Sequence, residues 1–359
     1  MEKKNHFPLR GGSLNRRSFL KLSGLLGVGV ASVGLWLRRD KAPITAEAVR
    51  FNRRLLKVSE TRLAMGTVVS MTLLHPSRDR AQEAMGRAFE EINRLTRTLS
   101  RFDDATAVSQ LNKEGFIRDL PPEVAHVILR ALRYYHISGG YFDITVKPVV
   151  DLFKRSFEKK HPSLPSENDL RRALRLVDAR KVTLRGRTIS FQEPGMGITL
   201  DGIAKGFIVD RASRVLSDFG IHDHLINAGG DIRTSGNKAG KRPWSVAIQD
   251  PLKKGNYPDI IRMRDGAIAT SGNYEVYYDR EKMFHHIVDP RTGYSPEQDT
   301  SVSVLADRAI DADALSTAVF VMSPEKGIRF IEGMPRRECF IVTRSGRKLH
   351  SSGWKGTRV

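Results

Sequence analysis

The chain has 359 residues, a formal net charge of +20 and one cysteine, Cys339. A single cysteine excludes an intramolecular disulfide framework, and no Cys/His spacing of a zinc module is present. The basic excess is spread rather than gathered into one arm, which argues against a nucleic-acid-binding tail and for a basic surface that favours an anionic ligand or a membrane-bound partner.

Residues 1–48 read as an address. Asn15-Arg16-Arg17-Ser18-Phe19-Leu20-Lys21 has the twin-arginine form and precedes a Gly- and Ser-rich apolar run, Leu22 to Leu37, too short for a comfortable spanning helix. This predicts Tat export to the periplasm. Ala46-Glu47-Ala48 is a small-x-small cleavage candidate, while Arg38, Arg39 and Lys41 are also compatible with an uncleaved anchor in the inner membrane. The remainder, residues 49–359, is long enough for one large domain or two joined lobes.

Arg62 to Thr67 reads as a loop leading into the strand VVSMTLL. Arg78 to Leu99 is predicted as an amphipathic helix, with Ala81, Ala84, Met85, Ala88, Phe89, Ile92 and Leu95 at helical spacing. The loop after it carries Phe102, an aromatic that can pack inward or cover a flat ring. A second helix, Pro122 to Ser138, is stopped by Gly139-Gly140. The run Tyr141-Phe142-Asp143 follows at once. After a third helix, Glu167–Leu176, a hairpin is predicted around Arg185-Gly186. Ile198 to Phe207 is predicted as a strand-to-helix passage whose glycines would let backbone N–H groups approach an anion; its spacing is neither a P-loop nor GxGxxG. Asn227-Ala228-Gly229-Gly230-Asp231 is a tight turn able to hold backbone against a ligand.

Phe284 to Thr317 carries the strongest chemistry: His285, His286, an Asp289-Pro290-Arg291-Thr292-Gly293 turn, the strand SVSVLA and a helix opening at Asp311-Ala312-Asp313. Asp313 and Thr317 are four apart and share one helix face. A carboxylate and a hydroxyl so placed suit Mg²⁺, which takes few protein oxygens and completes its shell with water and phosphate. The same two residues also serve as an N-terminal helix charge and a core-facing hydroxyl. His286 is a candidate base; Asp289, Arg291 and Thr292 are read as builders of the turn.

In this order eight blocks, MGT at 65–67, LSRFDD at 99–104, YFDITVKP at 141–148, LDGIAKGFIVD at 200–210, INAGGD at 226–231, IATSGNY at 268–274, HHIVDPRTG at 285–293 and DADALSTA at 311–318, resemble the ApbE family of FAD:protein FMN transferases. The resemblance implies an α+β fold with mixed sheets and helices, T-fold-like and two-lobed within one domain. It implies transfer of FMN from FAD to a threonine or serine of an acceptor, with release of AMP and with Mg²⁺ held by Gly202 (or Ala204) through a carbonyl, by Asp313 and by Thr317. FAD contacts carried over by position are Met65, Phe102, Tyr141, Phe142, Asp143, Lys205 and Ile287. The family's acid two residues before the glycines is Thr199 here, and an acid stands instead at Asp201; both remain candidates. The acceptor implied is a flavoprotein subunit of a membrane electron-transfer complex. Two alternatives stay open: a Mg²⁺-dependent FAD pyrophosphatase releasing FMN and AMP, and a non-catalytic periplasmic flavin-binding protein.

Overall fold

A computed structural model describes residues 45–158, 163–238, 242–251, 257–272, 287–296 and 299–357. Nine strands form one sheet: β1 (Thr45–Arg50), β2 (Leu56–Ala64), β3 (Thr67–His75), β4 (His224–Ala228), β5 (Asp231–Ser235), β6 (Gly266–Gly272), β7 (Asp299–Ala306), β8 (Glu338–Thr343) and β9 (Lys348–His350). Their order across the sheet is their order along the chain, and every neighbour pair is antiparallel. The sheet is thus a meander into which helical segments are inserted.

Between β3 and β4 lie α1 (Arg78–Leu99), α2 (Ala107–Glu114), α3 (Pro122–Ser138), α4 (Lys147–Phe157), α5 (Glu167–Arg175) and α6 (Ala204–Asp218); between β7 and β8 lie α7 (Ala309–Val321) and α8 (Pro324–Glu332). Two three-stranded sheets complete the described residues: 116–117 with 188–191 and 182–185, and 244–247 with 260–263 and 356–357. No helix of the described residues is long and apolar enough to cross a membrane.

Alternation along the strands separates two cores. Ile226, Ala228, Ala267, Ala269, Cys339 and Ile341 pack with helical residues in the main core. The residues interleaved with them, Leu225, Ile268, Phe340 and Val342, pack with Trp244, Val246 and Ile261 of the second small sheet. Since successive side chains point to opposite faces, helices cover one face of the meander and the small sheet covers the other.

Helix α1 begins where Ser77 accepts a hydrogen bond from the Arg80 N–H, and it buries all seven apolar residues expected from their spacing. Helix α3 ends at Gly139, φ 65°, as the glycine pair predicts. Three expectations change. Arg62–Ala64 belong to β2 rather than to a loop, because Met65 (φ 53°) and Gly66 (φ 71°) alone make a two-residue turn between β2 and β3. Helix α7 starts two residues before Asp311, at Ala309. The stretch before α6 is not a strand; Thr199 N–H donates to Ile144 O at 2.8 Å and no ladder forms. The leader boundary drawn at residue 48 falls inside β1, whose Thr45 to Arg50 pair with Thr61 to Leu56.

Candidate active site

The site is built where α6 meets α7. Gly206, in the first turn of α6, lies so close to α7 that a Cβ on it would sit 2.3 Å from Ala309 O and 2.8 Å from Asp313 Cβ. Only glycine allows this approach. The freed space lets the Gly206 N–H donate to Asp313 Oδ2 at 2.9 Å. The anion met by the glycine-rich helix start is therefore a carboxylate of the chain itself. The start of α7 is held in return by α6: Asp210 accepts hydrogen bonds from Ala309 N–H (2.9 Å) and Ile310 N–H (3.0 Å). That carboxylate occupies the N-terminal donors of α7.

Gly202 faces Thr317. A Cβ at Gly202 would lie 3.1 Å from both Thr317 Oγ1 and Cγ2, and 3.3 Å from the Phe142 ring. Thr317 Oγ1 is 3.4 Å from Ser271 Oγ, which is also 2.9 Å from Ser316 Oγ. The three residues that the metal reading selected, Gly202, Asp313 and Thr317, are thus brought together from segments about a hundred positions apart.

The electrostatics are dominated by buried acids. Burial, and next the charge of Asp231, push the Asp313 carboxyl well above its usual range; the Lys205 ammonium acts in the opposite sense. Asp231 is also raised by burial, with Lys205 opposing. Lys205 Nζ lies 3.2 Å from Asp231 Oδ2. The contact is an ion pair outside hydrogen-bond angles, so this buried oxygen has no hydrogen-bond donor among the described residues.

Several of the other predicted contacts are exposed or lie at turns. Phe102 is 69% exposed and lies under the Arg101 guanidinium, 4.4 Å from ring centroid to cation. Arg101 is itself held by Asp151 and Asp201, each at 3.2 Å. Of the two residues competing for the acidic position, Asp201 keeps a half-exposed carboxylate, whereas Thr199 is buried and its hydroxyl accepts from the Asp201 N–H at 3.3 Å. Tyr141 Oη accepts from Arg291 Nη1 (2.6 Å) and Lys326 Nζ (2.7 Å). Met65 sits at the β2–β3 turn in a backbone conformation unusual for a residue with a side chain. Neighbouring Thr67 packs against Gly229 of the Gly-Gly-Asp231 turn.

Phe142 is buried in the main core. Asp143 is also buried, and its carboxylate is engaged by the protein: Oδ1 accepts from Thr145 N–H and Oγ1, Oδ2 from Ala179 N–H. Burial still pushes its carboxyl up to about 6. Asp289, Arg291 and Thr292 build the turn, as expected: Asp289 accepts from Arg291 N–H, and its backbone oxygen accepts from Thr292 and Gly293 N–H. Ile287 is buried in the main core. His285 and His286 lie outside the described residues.

Four participants were not singled out from the sequence, although each lies in one of the eight blocks: Asp231, Asp210, Arg101 and Ser271. Each acts on a partner distant in sequence.

Comparison with known proteins defines the family of the chain. The model of the ApbE family matches residues 65–341. A Treponema pallidum protein named FAD:protein FMN transferase is 30% identical over 322 residues, covering 84% of this chain and 88% of its own. A Vibrio cholerae protein of the same name is 31% identical over 281 residues, covering 76% and 82%. Among solved structures, the ApbE protein of Thermotoga maritima superposes with a TM-score of 0.75 at 29% identity, covering 82% of this chain and 97% of that one. The flavin transferase ApbE of Vibrio cholerae gives 0.70 at 26% identity, covering 86% and 98%. The chain belongs to the ApbE family.

Proposed function

We propose that this protein is a flavin transferase that moves FMN from FAD onto a hydroxyl side chain, threonine or serine, of an acceptor protein. The observation that carries the reading is the meeting of the glycine-rich segment at 200–206 with Asp313 and Thr317, in a chain whose relatives are named for this transfer. In the reaction the acceptor oxygen attacks the phosphorus of the FMN half of FAD. The bond from that phosphorus to the oxygen bridging to AMP breaks, AMP leaves, and the hydroxyl proton is lost. Such a transfer asks for positioning and charge neutralisation more than for covalent chemistry.

The donor set fits Mg²⁺: one buried carboxylate with no arginine partner among the described residues, a threonine hydroxyl and a nearby glycine backbone. Asp313, Thr317 and the Gly202 carbonyl would hold the ion, which supplies charge neutralisation at the pyrophosphate. Lys205 is placed beside these acids to meet a phosphate. Phe102, Tyr141 and Met65 offer surfaces for the flavin or adenine rings, and Asp201 offers an exposed carboxylate for a hydroxyl or amine of FAD. His286 is assigned as the base that accepts the acceptor's proton. Tat export would place this activity in the periplasm, with a flavin-bearing subunit of a membrane electron-transfer complex as acceptor.

The test is incubation with FAD, Mg²⁺ and candidate acceptor domains, followed by intact-mass measurement. The reading expects one FMN residue per acceptor and stoichiometric AMP. FMN free in solution with an unmodified acceptor would assign a pyrophosphatase instead, and FAD bound without turnover would assign a carrier.

A further inference from the structure

Asp231 and Asp313 are buried acids, 2% and 5% exposed, that share one electrostatic environment. Among the described residues Lys205 is the cation paired with Asp231, and Asp313 has the Gly206 N–H as donor but no ion pair. Lys205 directly precedes Gly206, so the backbone that anchors Asp313 also fixes the root of the lysine. The ammonium, on a flexible stem, can satisfy either acid. At Asp313 it would occupy the place of a metal ion; at Asp231 it leaves that place open. Asp231 sits at the head of β5, directly after the turn that packs on Thr67. Its backbone position is therefore fixed by the strand it heads.

We propose that Asp231 is a positioning residue: it draws Lys205 away from Asp313 and so keeps the Asp313–Thr317 pocket available to a divalent cation. The inference rests on the Mg²⁺ reading of that pocket. Asp231 acts through the lysine rather than as a ligand, since Lys205 Nζ stands against its carboxylate at 3.2 Å. When the cation and the FAD pyrophosphate are both bound, Lys205 can lean to the phosphate while Asp231 limits how far it travels.

The test is Mn²⁺ binding to the full chain without FAD, followed by electron paramagnetic resonance. Wild type is expected to bind and Asp313→Ala to lose binding. Asp231→Asn should weaken Mn²⁺ binding by about tenfold or more, because the released ammonium competes for Asp313 at short range. Lys205→Met should bind more tightly than wild type. The double variant should return to within about threefold of wild type, the signature of a coupled pair. A deficit that persists in the double variant would make Asp231 a ligand and overturn the proposal. Unchanged affinity in Asp231→Asn would overturn it while leaving the metal reading intact. No Mn²⁺ bound by wild type would remove both. If Asp231→Asn fails to fold by circular dichroism, Lys205→Met alone decides, and unchanged affinity there refutes the idea.

Discussion

Helix α7 carries two buried aspartates on nearly opposite faces, and their surroundings differ in kind. Asp311 is paired with the Arg130 guanidinium and lies 3.7 Å from Arg337 Nη2. Asp313, two residues on, has a backbone N–H and a second acid in its field, but no arginine among the described residues. A buried carboxylate with guanidinium partners is a closed structural contact. One left beside a second acid without such a partner favours its neutral form, and a bound cation would complete its charged form. The sequence DAD shows two equivalent acids; the packing pairs one with arginines and leaves the other, among the described residues, without one.

The largest effect that could break this comparison is on turnover. Asp313→Ala should lower FMN transfer to an acceptor domain by about a hundredfold or more at saturating Mg²⁺, since a charge-neutralising contact in the transition state is lost. Its melting temperature should stay level or rise. A wild-type rate would move the metal to another acid.

Asp311→Asn is the mirror experiment. It strands Arg130 and Arg337 in a half-buried place and should cost about 3 kcal/mol in urea denaturation, with transfer rate at 20 °C close to wild type. Loss of rate without loss of stability would exchange the two roles.

Dependence on pH sharpens the contrast. Because the folded carboxyl of Asp313 is raised, its contribution to stability is complete below the unfolded value and is lost as pH rises through the folded one. In EDTA, Asp313→Asn should therefore gain on wild type as pH rises, measured as urea midpoints at several pH values, and Mg²⁺ should close the gap. A gap that narrows with pH would contradict the burial of an uncompensated charge. The smallest effect belongs to Thr317→Ala. Water can replace a neutral oxygen ligand, so the transfer rate should fall only a few-fold, about threefold to tenfold; a loss equal to that of Asp313→Ala would give the hydroxyl a larger part than a neutral ligand has.

Much of the scaffold was legible because it is local. The apolar spacing in Arg78 to Leu99, the glycine pair after Ser138 and the Arg185-Gly186 hairpin each carry their own boundary signal, and each stands where expected. The Asp313–Thr317 pair was legible as one helix face. What could not be read are contacts that depend on two segments arriving together. Helix α7 is buried on almost every side, so its start carries no amphipathic edge, and its cap, Asp210, comes from α6. The tie between Lys205 and Asp231 joins a helix to the head of a strand through a turn that, in sequence, looks only like a turn. Likewise Asp143, assigned to FAD by its place in a motif, has its oxygens taken by Thr145 and Ala179, the second of them 36 residues away.

The short approach at Gly206 has a consequence for the order of assembly. Its partner Asp313 is 107 positions further along the chain, and Asp210 waits 99 positions for Ala309. The six helices α1–α6 and the early strands can be complete on a ribosome while the carboxylate that Gly206 receives has not yet been made. Closing so long a loop is slow and unrewarded until both ends are present. A nascent or truncated chain ending before Ala309 thus carries α1–α6 but neither Asp313 nor Thr317, so its glycine-rich turn has no carboxylate to receive.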